Sequence, residues 1–305
     1  MDETRGTLAL YTTIYPGVER YLRDWYRSVL AQTDQTYQLW IGLDALDIRS
    51  VVNAMGGEPK ATWVMAEPGE TPAQIRQRAF EQITAVYDGV VLVDSDDILH
   101  STRVAAARAA LAQSDLNACA LRLVDQQGHY LGLDFELPLG QEAEFVLPRN
   151  NIFGLSNTAF RSDLLRRCLP IPAEIELVDW FLATRAWLCG ACLSFDRTAR
   201  MDYRQHGRNM VQVRYPLGTQ QIVQDTARAR VHFQHLRALG RSENHKMRRW
   251  AELEETAAEV DRFYQRVVLE PTRLQSYVQT LNALKPAAVW WSSVAHPALR
   301  DLWVF

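Results

Sequence analysis

The sequence predicts an α/β fold: a mixed, mostly parallel sheet flanked by helices, followed by a helical C-terminal extension. Three observations carry that expectation. Strand-like and helix-like segments alternate through about the first 115 residues, the pattern of a parallel sheet covered by helices. Four consecutive apolar residues, Val90 to Val93, read as a strand buried on both faces and run directly into Asp94-Ser95-Asp96-Asp97. Beyond Pro216 the texture changes to long, charged, alanine-rich stretches that read as helices.

Leu8 to Thr13 reads as the first strand, ending at the turn signal Pro16-Gly17. Leu22, Trp25, Tyr26 and Val29 then fall on one face at helical spacing. Tyr37 to Leu43 is a second strand with Asp44 just past its end, and Ala61 to Met65 is a short third. Glu67 to Glu70 is a loop. Thr71 as N-cap, with Pro72 at the first helical position, starts a helix whose apolar face is Ile75, Ala79, Ile83 and Val86. Arg76 and Arg78 are the charges of its early turns.

After the acidic run a helix is expected from Ser101 to about Ala112, with Val104, Ala107 and Leu111 inward. Ala118 to Leu123 and Tyr130 to Phe135 read as strands joined through a turn at Gln127-Gly128, extending or flanking the sheet. Asn150 to Phe160 reads as a loop of small polar residues, Val178 to Leu188 as a helix and Ala191 to Phe195 as a strand. Gln220 to about Leu239 and Asn244 to about Val268 are the long helices of the extension. The closing segment, from Pro286 through Trp290, Trp291 and Trp303 to Phe305, is rich in tryptophan. Its apolar side chains are expected to complete the core, because apolar faces are usually buried. A surface for a membrane or a second subunit is the other reading, since tryptophan favours boundaries that are apolar on one edge and wet on the other.

Bulk properties exclude several classes. A chain of 305 residues that is 48% hydrophobic can bury a sizeable core. Its net charge of −3 argues against a nucleic-acid binder that works by bulk electrostatics. No apolar stretch is long enough to span a bilayer, and Met1 to Gly6 has no signal-peptide character, so a cytoplasmic protein is expected, with peripheral contact at the inner membrane face left open. Cys189-Gly190-Ala191-Cys192 has redox or zinc spacing, yet no second pair exists to close a zinc site. Buried, inert thiols are expected there.

The acidic run carries the chemistry. Three carboxylates within four residues repel one another unless something positive sits among them. The carboxyl ends of strands in open α/β sheets are also where ligands bind. A hard cation such as Mg²⁺ that carries a phosphorylated substrate satisfies both facts. The plainer alternative is a solvated turn, with Ser101 capping the next helix.

Together, the order and spacing of these segments resemble the family 2 glycosyltransferases of GT-A, Rossmann-like fold, over about residues 7–215. The strand and helix from Thr12-Thr13-Ile14-Tyr15-Pro16 to Ser28-Val29-Leu30-Ala31-Gln32-Thr33 resemble the family's opening, where the strand end meets the nucleotide, which implicates Thr12 and Tyr15. Asp44 is similar to the aspartate that pairs with the donor's base. Arg76-Gln77 falls where the family usually has Arg-Asn beside the nucleotide. Asp94-Ser95-Asp96-Asp97 resembles the D-x-D-type motif. The likeness implies that Asp94 and Asp96 lie on the nucleotide side and that Asp97, with Asp96, holds Mg²⁺ or Mn²⁺.

Val178-Asp179 resembles the family's Glu-Asp pair, with Arg185 six residues after the aspartate, although Val178 replaces the usual Glu. The resemblance makes Asp179 the general base of a direct, inverting displacement; a helix cap is the plainer role. Tyr203-Arg204-Gln205-His206-Gly207-Arg208-Asn209 resembles a Y-R-x-H segment that closes the donor site. There His206 is a metal or pyrophosphate ligand or else structural, and Arg204 or Arg208 meets the diphosphate.

The resemblance therefore implies a catalytic domain over residues 1–216 and a helical extension over 217–305. The expected activity is metal-dependent, inverting transfer from a nucleotide sugar, a UDP-sugar first. The acceptor would be a saccharide or glycolipid hydroxyl, in surface polysaccharide or glycoconjugate synthesis, with a homo-oligomer or a membrane contact through the C-terminal helices left open. Two alternatives stand beside it. One is a nucleotidyltransferase, disfavoured because Thr12-Thr13-Ile14-Tyr15-Pro16-Gly17 stands where a basic Gly-rich loop would be. The other is a degenerate scaffold that binds without turnover, for which Val178 is the best support.

Overall fold

A computed structural model describes residues 6–206, 216–240, 246–284 and 289–304. The chain forms two compact units. The first comprises residues 1–136, 153–174 and 191–207, and the second comprises 137–152, 175–190 and 208–305.

The first unit is a mixed α/β sheet flanked by helices. In chain order it contains β1 (Leu8–Ile14), α1 (Leu22–Leu30), β2 (Tyr37–Leu43), α2 (Ile48–Met55), β3 (Ala61–Met65), α3 (Pro72–Val86), β4 (Gly89–Leu92), β5 (Ile98–Leu99), α4 (Arg103–Leu111), β6 (Leu116–Val124), β7 (Tyr130–Phe135), β8 (Thr158–Arg161) and α5 (Ser162–Cys168). Helix α6 (Val178–Leu188) belongs to the second unit, and β9 (Leu193–Arg204) completes the sheet. The strand order is β3-β2-β1-β4-β8-β6-β9-β5, with β7 on β6. β1 runs parallel to β2 and β4, β2 to β3, and β6 to β9; β8 is antiparallel to β4 and β6.

Local chemistry explains the boundaries. Thr71 accepts from the Gln74 amide while the Gln74 side chain accepts from the Thr71 amide, a complete capping box with Pro72 behind it. The Thr71 hydroxyl also donates to the Ala173 carbonyl at 2.8 Å, which ties the helix start to the loop before residue 175. Thr71→Ala removes both contacts and should cost about 1–2 kcal/mol in urea unfolding. Helix α2, which the apolar pattern did not announce, is made by its caps. Asp47 accepts from the Ser50 amide at 3.0 Å, and Gly56 ends it at φ +78°, where a side chain would be strained.

Several expectations need correction. Val86, the last residue of α3, is 68% exposed: the inward face is made by Ala73, Ile75, Ala79, Phe80, Ile83 and Thr84, and the chain turns extended at residue 87. Thr102, not Ser101, occupies the N-cap of α4, without a side-chain cap. The Ser101 carbonyl instead accepts from the Thr33 amide and hydroxyl, which keeps Ser101 in the preceding turn. Cys192 is exposed, because in the link from α6 to β9 it is the backbone amide that is anchored, on Asp115 at 2.9 Å. The expected loop from Asn150 to Phe160 ends in strand β8, and the strand expected to end at Phe195 continues to Arg204.

The second unit adds α7 (Thr219–Ala238), α8 (Met247–Phe263), α9 (Pro271–Leu284) and α10 (Asp301–Val304) to α6, with a π-helical turn at Tyr264–Val268 after α8. The tail tryptophans Trp290, Trp291 and Trp303 are buried in it, as the core reading expects. Ring stacking runs from Trp291 to Trp180, 5.6 Å apart and 5° from parallel, and from Trp180 to His232 at 4.0 Å and 8°. No helix among the described residues is long and apolar enough to cross a membrane. Arg208, Asn209, Pro286 and Phe305 lie outside the described residues.

Candidate functional site

β1 lies between β2 and β4, so the chain leaves β1 to one side and returns on the other. The gap beyond β1 and β4 is the switch point of the sheet, where such folds bind ligands. Thr12 to Ile14 end β1 there, with Tyr15 just beyond, and the acidic run forms the turn between β4 and β5. The turn is pinned to β1 by the Ser95 hydroxyl on the Thr13 carbonyl at 2.9 Å and by the Val93 amide on the Tyr11 carbonyl at 3.1 Å. Asp44 joins the same end through its amide on the Ile14 carbonyl at 2.9 Å. Burial raises the phenol of Tyr11, in the middle of β1, and the positive charge of Arg76 acts against that rise. The Thr12 hydroxyl is buried there without a hydrogen-bond partner.

The acidic side chains are largely shielded. Asp97 is 1% and Asp96 6% exposed, and Asp94 is half-buried. Asp96 Oδ2 accepts from the Tyr15 hydroxyl at 3.3 Å and meets His206 Nε2 at 2.9 Å. The Ser156 hydroxyl reaches both Asp94 Oδ2, at 2.7 Å, and Asp97 Oδ2. Asp97 Oδ1 accepts from the Arg204 amide at 2.7 Å. Burial, then the charges of Asp96 and Asp94, hold the Asp97 carboxyl well above the usual carboxylate range. Burial and the same three aspartates push the Tyr15 phenol up as well.

Arg204 and His206 arrive on the end of β9. The Arg204 guanidinium donates to the carbonyls of Asp96 and Gln126, both at 2.8 Å, and lies 4.6 Å over the Tyr21 ring. His206 stacks on that ring at 5.4 Å. The structure thus gathers Tyr15, Asp94, Asp96, Asp97, Arg204 and His206 into one constellation. Tyr21 and Ser156 belong to it too, and sequence reasoning missed both. Their only signals were an aromatic before an amphipathic helix and a serine in a small-residue loop.

Gln77, the departure from the family's Arg-Asn, is occupied elsewhere, accepting from the Ile171 amide at 2.8 Å and donating to Glu81 at 2.7 Å. In the second unit, Asp179 lies in the first turn of α6 and accepts from the Asn151 side-chain amide at 3.2 Å. Val178 beside it is buried, and the Arg185 guanidinium lies 5.7 Å over the Phe181 ring.

Among the described residues no three His, Cys, Asp or Glu groups converge as a ready-made metal centre. The donor chemistry nevertheless fits a hard divalent cation. Carboxylate oxygens and one imidazole share a strand end, and the repulsion that lifts Asp97 is offset by a proton or by a cation.

The sequence matches no protein-family model, and no curated protein matches it. Solved structures do match. The mannosyltransferase PcManGT from Pyrobaculum calidifontis, in complex with GDP-Man and Mn²⁺, aligns over 92% of this chain and 76% of its own at 15% identity and a TM-score of 0.61. S. aureus TarS 1–349 with UDP-GlcNAc aligns over 85% of this chain and 72% of its own at 15% identity and a TM-score of 0.55, and the same protein with UDP gives 0.54. The chain has a glycosyltransferase-like fold. At that identity the likeness establishes the fold alone, while the site rests on this chain's own residues.

Proposed function

We propose that this chain is a glycosyltransferase that moves a sugar from a nucleoside diphosphate to a hydroxyl acceptor, with inversion and with Mg²⁺ or Mn²⁺. One observation carries the reading: shielded, mutually repelling carboxylates stand with Tyr15 and His206 at the sheet's switch point. The fold adds support, since proteins that share it have been solved with GDP-Man and UDP-GlcNAc. Residues 1–216 would be the catalytic domain and 217–305 its helical extension.

In this reading Thr12, Tyr15, Asp44, Arg76 and Asp94 meet the nucleotide, and Asp96, Asp97 and His206 hold the cation. Arg204 keeps the acidic turn in shape, because its guanidinium already serves two carbonyls. A divalent cation held by these residues would supply positive charge against the leaving diphosphate. Asp179 takes the proton of the attacking hydroxyl. It stands in the first turn of α6. Inversion requires a base and a leaving group on opposite faces of the anomeric carbon, so they come from different elements. A saccharide or glycolipid is the acceptor class to test.

Thermal unfolding with UDP-GlcNAc, UDP-glucose, GDP-mannose and thymidine diphosphate glucose, each with and without Mn²⁺, tests the donor reading. A donor at about 100 times its Kd adds about 2.7 kcal/mol of stability. The reading fails if no donor raises the melting temperature in Mn²⁺. A non-catalytic scaffold, favoured by the apolar Val178, would shift without releasing nucleoside diphosphate. Asp97→Asn keeps the shape of the turn and removes a buried charge repelled by two neighbours. It should melt no earlier than wild type at neutral pH and lose the Mn²⁺-dependent part of nucleotide binding; calorimetry showing that part unchanged would remove Asp97 from the cation's ligands.

A further inference from the structure

Ser156 is 1% exposed, and its hydroxyl reaches Asp97 Oδ2 as well as Asp94 Oδ2, the latter at 2.7 Å. The topology brings it there. β8 runs antiparallel to β4, with Val91 opposite Ala159, so the residues just before β8 lie beside those just after β4. The turn that presents the hydroxyl is braced. The Asn157 side chain accepts from the Gly154 amide at 2.8 Å and donates to the Cys119 carbonyl at 2.7 Å, while the Asn157 carbonyl accepts from the Cys119 amide at 3.1 Å. Two residues after Ser156, the Thr158 carbonyl accepts from the guanidinium of Arg103, the first residue of α4, at 3.0 Å. Arg103 is 0% exposed, and its Nε and Nη1 have no hydrogen-bond partner among the described residues. A buried charge matched so sparsely is a cost to stability. Its visible contribution is to place Thr158.

We infer that Ser156 is a positioning residue for Asp97 in the cation site, and that Arg103 sets the place of Ser156 through Thr158. This rests on Asp97 being one of the cation's ligands. The Arg204 amide donates to Asp97 Oδ1 at 2.7 Å, so with Ser156 on Oδ2 the carboxylate is gripped at both oxygens. A carboxylate offers about four acceptor sites, so two hydrogen bonds fix its rotation and leave it able to coordinate. With the hydroxyl removed, one oxygen loses its hold, and binding a cation must also supply that order. Partners that orient a ligating carboxylate are worth about 10–100-fold in metal affinity.

The test uses the full chain and reads Mn²⁺ itself. The electron paramagnetic resonance signal of free Mn²⁺ is titrated with protein in the presence of UDP or GDP, and calorimetry follows the nucleotide with and without Mn²⁺, each variant well below its own melting transition. Ser156→Ala should weaken Mn²⁺ binding about ten- to a hundredfold, while nucleotide affinity without Mn²⁺ stays within about threefold. Arg103→Met, which keeps the Ser156 hydroxyl but cannot donate to Thr158, should reproduce the same split in milder form. In the Asp97→Asn background, Ser156→Ala should add little further loss, because the group it orients is no longer a carboxylate. Unchanged Mn²⁺ affinity in Ser156→Ala overturns the inference. So does an equal further loss in the Asp97→Asn background, or an equal loss of nucleotide affinity without Mn²⁺, either of which would make Ser156 a structural residue only. The cation reading fails separately, through equal Mn²⁺ affinity in wild type and Asp97→Asn, and takes the inference with it.

Discussion

Asp179→Asn should lower turnover by about 10²–10⁴-fold while nucleotide affinity stays within a few-fold. The substitution preserves shape and the hydrogen bond from Asn151, so the helix start should survive. What disappears is the capacity to accept a proton. Single-turnover release of nucleoside diphosphate, set beside calorimetric titration of UDP or GDP in Mn²⁺, reads the two quantities independently. Retained turnover would put the base elsewhere. Lost nucleotide binding would place Asp179 with the donor instead.

The second large effect is on stability. His232 is buried with both ring nitrogens unpartnered and stacked on Trp180, and burial, then nearby His235, pushes its pKa down to about 3 from 6.5. The unfolded chain therefore binds a proton that the folded chain refuses, and stability falls as pH drops below 6.5 towards 3. Between about pH 7 and pH 4 this amounts to roughly 3 kcal/mol. Asp225 acts in the opposite sense. Burial pushes its carboxyl up to about 6 from 3.8, so stability falls as pH rises from 3.8 to 6 and the loss is complete above that. His232→Phe keeps the stacking and removes the histidine contribution. Urea unfolding at pH 7, 5.5 and 4 should show wild type losing roughly 3 kcal/mol more than this variant. Equal losses would mean that the His232 ring reaches solvent or a partner.

Much of the first unit was legible because its signals are local. β2, β3 and β7 fall where their apolar patterns place them, and the Thr71-Pro72 start of α3 is a full capping box. The failures share a cause: pairing or capping outweighed pattern. β8 is four residues long and follows Ser156 and Asn157, whose polarity reads as solvent exposure. Both are buried because their polar atoms are matched, Asn157 by the Cys119 carbonyl at 2.7 Å and by the Gly154 amide at 2.8 Å. β9 carries Asp196, Arg197, Arg200 and Asp202, which hides a strand that β6 and β5 nonetheless pair. The acidic turn was readable as chemistry. That Ser156 bridges two of its carboxylates, or that Arg204 is buried beneath it, was not, since both depend on residues dozens of positions away.

That distance has a kinetic consequence. The Arg204 amide meets Asp97 across 107 positions, and His206 meets Asp96 across 110. They reach the turn only after β9 has paired alongside β6, a parallel, non-local pairing of the kind that forms slowly because a long loop must close first. A chain folded only as far as β1 to β4 would hold its three aspartates in a turn without Arg204 at their back. Nucleotide and Mn²⁺ would then add nothing to its stability. During refolding, helical signal should return first, and the Mn²⁺-dependent nucleotide binding expected of the proposed site should return only with the slowest phase, as the last step of assembly.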